Sequence, residues 1–149
     1  MSHSPGPAGA AASGADPSDW ASGRREAAAE HERRLRARQA AESDRAGAML
    51  AQFVDDARAA GLAPQRLEVR GYGGRGRASS DVEGWYLRAD RTAGVGTDGA
   101  FYVLTAPLSL VDRVRGVRLR PSAPPLVLGA GGKDGESIDL RDALARLLA

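Results

Sequence analysis

The apolar positions fall into blocks of different period. Ala46, Met49, Leu50, Phe53, Val54 and Ala57 recur at three- and four-residue steps, which predicts a helix with one buried face, stopped by Gly61 with Pro64 beyond. From Gln65 to Gly71 the period changes to two, placing Leu67 and Val69 inward and Arg66, Glu68 and Arg70 outward on a strand. Gly84 to Thr105 is the densest β-forming stretch. Its Asp98-Gly99 pair suits the positive-φ positions of a two-residue hairpin turn. Pairing Thr97 with Ala100 sets Val95 opposite Tyr102 and Ala93 opposite Leu104, with Phe101 and Val103 on the other face over Gly96 and Gly94. Upstream, Trp85, Leu87 and Ala89 alternate with an outward Tyr86, Arg88 and Asp90, which predicts a third strand. Residues 71–81 (GYGGRGRASSD) read as a flexible loop.

Downstream, Pro107 suits a first helical position and Gly116 a stop, with Leu110, Val111 and Val114 as the short apolar stripe between them. Val117 and Leu119 alternate with Arg118 and Arg120 as a half-buried strand, and Leu126 to Leu128 return as an edge strand after Pro121, Pro124 and Pro125. The glycine-rich loop 129–136 leads to a last helix. Asp139 is its N-cap, Asp142 stands at N3, Ile138 is a staple, and Leu140, Ala143, Leu144, Leu147 and Leu148 form the buried face.

Upstream of Ala46 the pattern vanishes. Residues 24–45 are strongly helix-forming yet charged on nearly every face, with Leu35 the one large apolar side chain, so they predict an exposed helical extension that meets solvent or a protein partner. Residues 1–23, rich in Ala, Gly, Ser and Pro, predict a disordered tail in which Trp20 is the exception. Residues 46–149 then form a single α+β domain. The element order gives an antiparallel sheet of about five strands with two or three helices mainly on one face; the meander leaves no room for the helices that a parallel doubly wound fold requires.

Composition narrows the chemistry. The chain of 149 residues has no cysteine, so disulfides and thiolate metal sites are excluded. No apolar run reaches the length of a membrane span, and no basic segment followed by an apolar one marks secretion, so the expectation is a cytoplasmic protein. The net charge of +2 rests on twenty arginines and one lysine, a bias that a GC-rich genome also produces.

Two stretches match G-x-G-x-x-G, at Gly71, Gly73 and Gly76 and at Gly94, Gly96 and Gly99, but neither runs from a strand into a helix as a pyrophosphate site requires. Gly131-Gly132-Lys133 fails as a phosphate loop, because Val127 stands where a glycine is needed and Asp134 follows the lysine. With His3 in the tail and His31 on the charged helix, neither a three-ligand zinc site nor a serine–histidine–aspartate triad can be assembled in the core. No catalytic residue, metal ligand or cofactor is assigned. What remains is arginine with aromatics: Arg66, Arg70, Tyr72, Arg75, Arg77, Tyr86 and Arg88 as a binding face, with Arg113, Arg115, Arg118 and Arg120 as a second cluster. The leading expectation is a non-enzymatic module that binds another macromolecule through the charged helix or the arginine-bearing sheet. RNA or single-stranded nucleic acid on the Arg/Tyr face is the alternative. A small enzyme with an arginine-lined pocket comes third.

Overall fold

In the computed structural model, residues 2–3, 16–129 and 136–149 are described. Most of the proposed tail and the loop around Lys133 lie outside them. The chain divides into two compact units, Met1–Gln39 and Ala40–Ala149.

The first helix, α1, runs from Pro17 to Ala59, so it starts upstream of Arg24. Its start is written in the sequence: the Asp16 carboxylate accepts the Ser18 amide at 3.3 Å and the Ser18 hydroxyl at 2.7 Å, and Pro17 occupies the first helical position, where its missing N–H costs nothing. The Ser18 hydroxyl holds the Asp16 carboxyl below the usual carboxylate range. Within the first unit the side chains pair along the helix, Glu30 with Arg33 and Arg34 and Glu32 with Arg36, while Trp20 and Leu35 are exposed. The helix continues through Gly47 without a break. In the second unit its buried residues are Ala46, Leu50, Phe53, Val54 and Ala57, the face predicted from the periodicity. Glu42, which the charge pattern placed on the exposed extension, instead accepts the Leu126 amide at 3.1 Å.

The strands are β1 (Gln65–Gly71), β2 (Arg77–Tyr86), β3 (Ala93–Gly96), β4 (Phe101–Val103) and β5 (Thr105–Ala106), in the sheet order β4-β3-β2-β1-β5. All neighbours are antiparallel except β1 and β5, which pair in parallel at Arg70–Thr105 and Gly71–Ala106, so the sheet is mixed and not antiparallel throughout. β4 and β5 stand at opposite ends of that order, yet Leu104 alone separates them. They are one bent strand that changes partner, and the sheet closes on itself into a small barrel, sealed by the hydrogen bond from the Arg70 amide to the Leu104 carbonyl at 2.8 Å.

Strand alternation sorts residues to the two sides of this wall. Leu67, Tyr102 and Leu104 form the inner cluster, with Val82, Tyr86, Ala100 and Leu119 packed against it. So small a barrel has little room. A Cβ on Gly94 would lie 3.0 Å from Leu67 Cδ1 and 3.1 Å from Leu104 Cδ1, so glycine there leaves the space that those two side chains occupy. Ser80, also turned inward, donates its hydroxyl to the Leu67 carbonyl at 2.7 Å. On the outside, Trp85, Leu87, Ala93, Val95 and Phe101 lie under α1 and the last helix, α3 (Leu140–Leu148), which contributes Leu140, Ala143 and Leu144. A two-stranded ribbon of β6 (Val127–Leu128) and β7 (Ile138–Asp139) precedes α3, so Ile138 is a strand residue paired with Leu128, and Asp139 makes no side-chain cap bond.

Three readings of the strands need correction. The β3–β4 hairpin pairs Val95 with Phe101 and Gly94 with Tyr102, one residue away from the predicted register. Its turn has three residues, Thr97 to Gly99, with Gly99 at φ 81° and the Gly96 amide donating to Ala100 at 2.9 Å; the added residue brings Phe101 onto the helix side and Tyr102 inside. The proposed loop 71–81 is half strand, because β2 begins at Arg77. Val117 makes only an isolated parallel bridge to Ser80, and no strand follows through Arg120.

The Tyr102 hydroxyl donates to Asp98 Oδ2 at 3.0 Å. Burial, and then Asp98, push it up to about 12 from 10.0. The protonated form is therefore favoured by folding: this contribution is intact below pH 10 and is lost as the pH rises toward 12. Urea titrations across that range should show the midpoint falling, and Tyr102→Phe should remove most of the fall at a cost of about 1 kcal/mol at neutral pH. An identical alkaline slope in the variant would refute the assignment.

Candidate functional site

The barrel has a second outer side, away from α1 and α3, where alternation places Arg66, Glu68 and Arg70 on β1 and Arg77, Ser79 and Asp81 on β2. Arg70 stands directly opposite Arg77 in the β1–β2 register. Like charges in that relation repel, and among the described residues neither has an ion-pair partner. The strands are joined by a tight turn, Tyr72–Gly74, that leaves Tyr72 62% exposed beside Arg75.

Helix α2 (Leu110–Arg115) packs along this side. It is defined by a capping box, with the Ser109 hydroxyl accepting the Asp112 amide at 3.1 Å and the Asp112 carboxylate accepting the Ser109 amide at 2.9 Å, and it stops at Gly116. Helix formation therefore begins three residues beyond the position read from Pro107. Its apolar stripe lies open to solvent: Leu110 is 75% exposed, Val111 57% and Val114 86%, and no residue of α2 is buried. The barrel interior on the other side of the wall is already filled, so the helix has no apolar surface to meet.

The segment 113–118 brings the second arginine cluster to the first. Hydrogen bonds from the Val117 amide to the Ser79 carbonyl at 2.8 Å and from the Asp81 amide to the Val117 carbonyl at 3.2 Å tie it to β2. A cleft of about 470 Å³ results, lined by Arg66, Ser79, Asp81, Arg113, Arg115 and Arg118. Arg113 also borders a second hollow of about 620 Å³ with Tyr72, Arg75, Pro107 and Leu108, and its guanidinium donates to the Arg75 carbonyl at 3.4 Å. Two carboxylates on these segments are turned to backbone work, Asp112 in the capping box and Asp81, whose Oδ1 accepts the Leu119 amide at 2.9 Å. Among the described residues Arg66 is the one cleft arginine in an ion pair, with Glu83 at 3.8 Å. The lining offers guanidinium groups, one engaged carboxylate and a serine hydroxyl, a set suited to holding anions. Among the described residues no three His, Cys, Asp or Glu side chains gather as a metal site, and no helix is long and apolar enough to cross a membrane.

Of the seven residues proposed from sequence, Arg66, Arg70, Tyr72, Arg75 and Arg77 lie on this side of the barrel, and Tyr86 and Arg88 do not. Tyr86 points inward and its hydroxyl accepts the Glu68 amide at 2.9 Å, at an irregularity in the β1–β2 register. Arg91 covers its ring at 5.1 Å. Arg88, past the end of β2, is half-buried and donates to Asp90 at 3.3 Å and to the Glu136 carbonyl at 3.1 Å, so it fastens the region before β7. Burial opposes the Asp90 charge, but hydrogen bonds from Thr92 and the Arg88 guanidinium outweigh it and hold the carboxyl below its ordinary range. Arg113, Arg115 and Arg118 join the site in their place.

Compared with known proteins, the chain matches no family model, no curated protein and no solved structure.

Proposed function

We propose that this chain is a non-enzymatic interaction module that binds an anionic macromolecule over the arginine-bearing side of its barrel. The observation that carries the reading is the uncompensated pair Arg70 and Arg77, directly opposed on neighbouring strands without an acidic partner among the described residues. Such a pair weakens the sheet by a few tenths of a kcal/mol to about 1 kcal/mol, and an anion from outside supplies the missing counter-charge. Arg75, Arg113, Arg115 and Arg118 extend the same uncompensated charge. On α1, by contrast, Arg33 and Arg34 pair with Glu30 and Arg36 pairs with Glu32, so the middle of that helix carries its own counter-charges.

The test is fluorescence anisotropy of labelled polyglutamate and oligouridylate titrated with the full chain at about 50 and 200 mM salt. Binding should weaken by about tenfold or more across that range, as condensed and bound counterions compete. Arg70→Gln with Arg77→Gln should weaken binding further while raising the thermal midpoint, the two effects having opposite sign because the arginines serve the partner at the expense of the sheet. No binding of either polymer at low salt, or unchanged binding by the double variant, would refute the reading.

A further inference from the structure

We infer that the partner is an acidic protein segment carrying apolar side chains, and that α2 is the surface on which those side chains dock. This rests on the anion-binding reading above and adds the part of the site that charge leaves unexplained.

α2 is built to persist, with a complete capping box at one end and a glycine stop at the other, yet it buries nothing of its own. Leu110, Val111 and Val114 stand 75%, 57% and 86% exposed, and Tyr72 is 62% exposed at the second hollow, beyond Arg113. Apolar residues gathered in this way mark a surface that is covered in use. Here they alternate with cations: Arg113 and Arg115 interrupt the stripe, and Arg75 and Arg118 flank it. The complement is a chain on which carboxylates alternate with leucine-like side chains.

The same features set this partner apart from other anions. A nucleic acid offers phosphates to the arginines but has only stackable base faces for the remainder, and α2 presents three aliphatic side chains where such a site uses aromatics. An anionic membrane is flat, whereas Arg113 separates two hollows of about 470 and 620 Å³ that suit side chains protruding from a peptide. A second copy of this chain would set arginine against arginine.

The experiment compares four labelled probes on the full chain under the same low-salt conditions: a glutamate peptide with leucine at three- and four-residue steps, polyglutamate of equal charge, oligouridylate, and phosphatidylserine vesicles. The leucine-bearing peptide should bind about tenfold or more tightly than polyglutamate, the increment expected from covering two or three aliphatic side chains. Leu110→Ser with Val111→Ser should abolish that advantage, leave polyglutamate binding intact and leave the thermal midpoint unchanged, since both side chains are exposed and neither lines the cleft. Equal binding of the two peptides, an advantage that survives the double variant, or preference for oligouridylate or vesicles would overturn the inference while the anion-binding reading stands. Failure of all four probes would remove the reading beneath it instead.

Discussion

Phe53→Ala should remove about 3–5 kcal/mol of folding stability, a large part of the whole for a domain of this size. Phe53 is 2% exposed and is among the largest fully buried side chains. It meets the Trp85 ring edge-on, with centroids 5.6 Å apart and planes at 88°, so it couples α1 to the outer wall of the barrel. Truncation deletes that aromatic contact and leaves a cavity between α1 and β2 that neither can close without giving up its own packing. Urea denaturation should show a lower midpoint with an unchanged slope. Phe53→Leu, which refills most of the volume, should cost far less. A loss under about 1.5 kcal/mol for the alanine variant would show that the helix is held to the barrel by something other than this contact.

Gly84→Ala should be nearly as severe, at about 3 kcal/mol, although it adds a single methyl group. A Cβ at this position would be driven into the Val95 carbonyl and would lie 2.8 Å from Gly96 Cα, both of them backbone atoms of the paired strand β3. No rotamer change relieves such a collision; β2 and β3 would have to part at the Gly84–Gly96 and Trp85–Val95 positions. Gly47→Ala is the counterpart on α1. An added Cβ there meets nothing within 4 Å, so the same change should stabilise by about 0.5–1 kcal/mol through helix propensity. Thermal melts of the two variants should therefore shift in opposite directions. A mild effect at Gly84 would mean that the barrel wall yields there.

Much of the second unit was legible because its signals are local. The buried face of α1, the limits of β1, the presence of the 98–99 turn and most of the face of α3 follow from period and punctuation, Leu148 alone of that face being exposed at the end of the helix. What escaped depends on closure. The inner row of β2 is Ala78, Ser80, Val82, Gly84 and Tyr86, too small and polar to read as a strand, because a narrow barrel admits little volume on that side. The pairing of Arg70 with Thr105 joins positions far apart along the chain and leaves no local trace. The arginines of β1 and β2 were identified, and alternation correctly turned Arg66 and Arg70 outward. Their meeting with Arg113, Arg115 and Arg118 was not legible, since it depends on segment 113–118 bridging to Ser80. The α2 stripe shows the limit of amphipathic reasoning: spacing says which residues share a face, and the neighbours decide whether that face is covered. The helix start was a different kind of miss, for Asp16-Pro17-Ser18 is a cap signal in plain view inside a composition that suggested disorder.

A ribbon joined end to end also has no strand that can fray by itself. Between β4 and β5 the chain changes partner without leaving the wall, and the outer edge of β4 is occupied by Ser122, whose amide donates to the Phe101 carbonyl at 2.8 Å. Few backbone donors are left in a row for another molecule to extend, which guards a strand-rich unit against edge-to-edge aggregation. The same joint makes folding slow to commit and abrupt to complete: the last pairing encloses the longest loop of the barrel, and only when it forms do Leu67, Tyr102 and Leu104 leave water together.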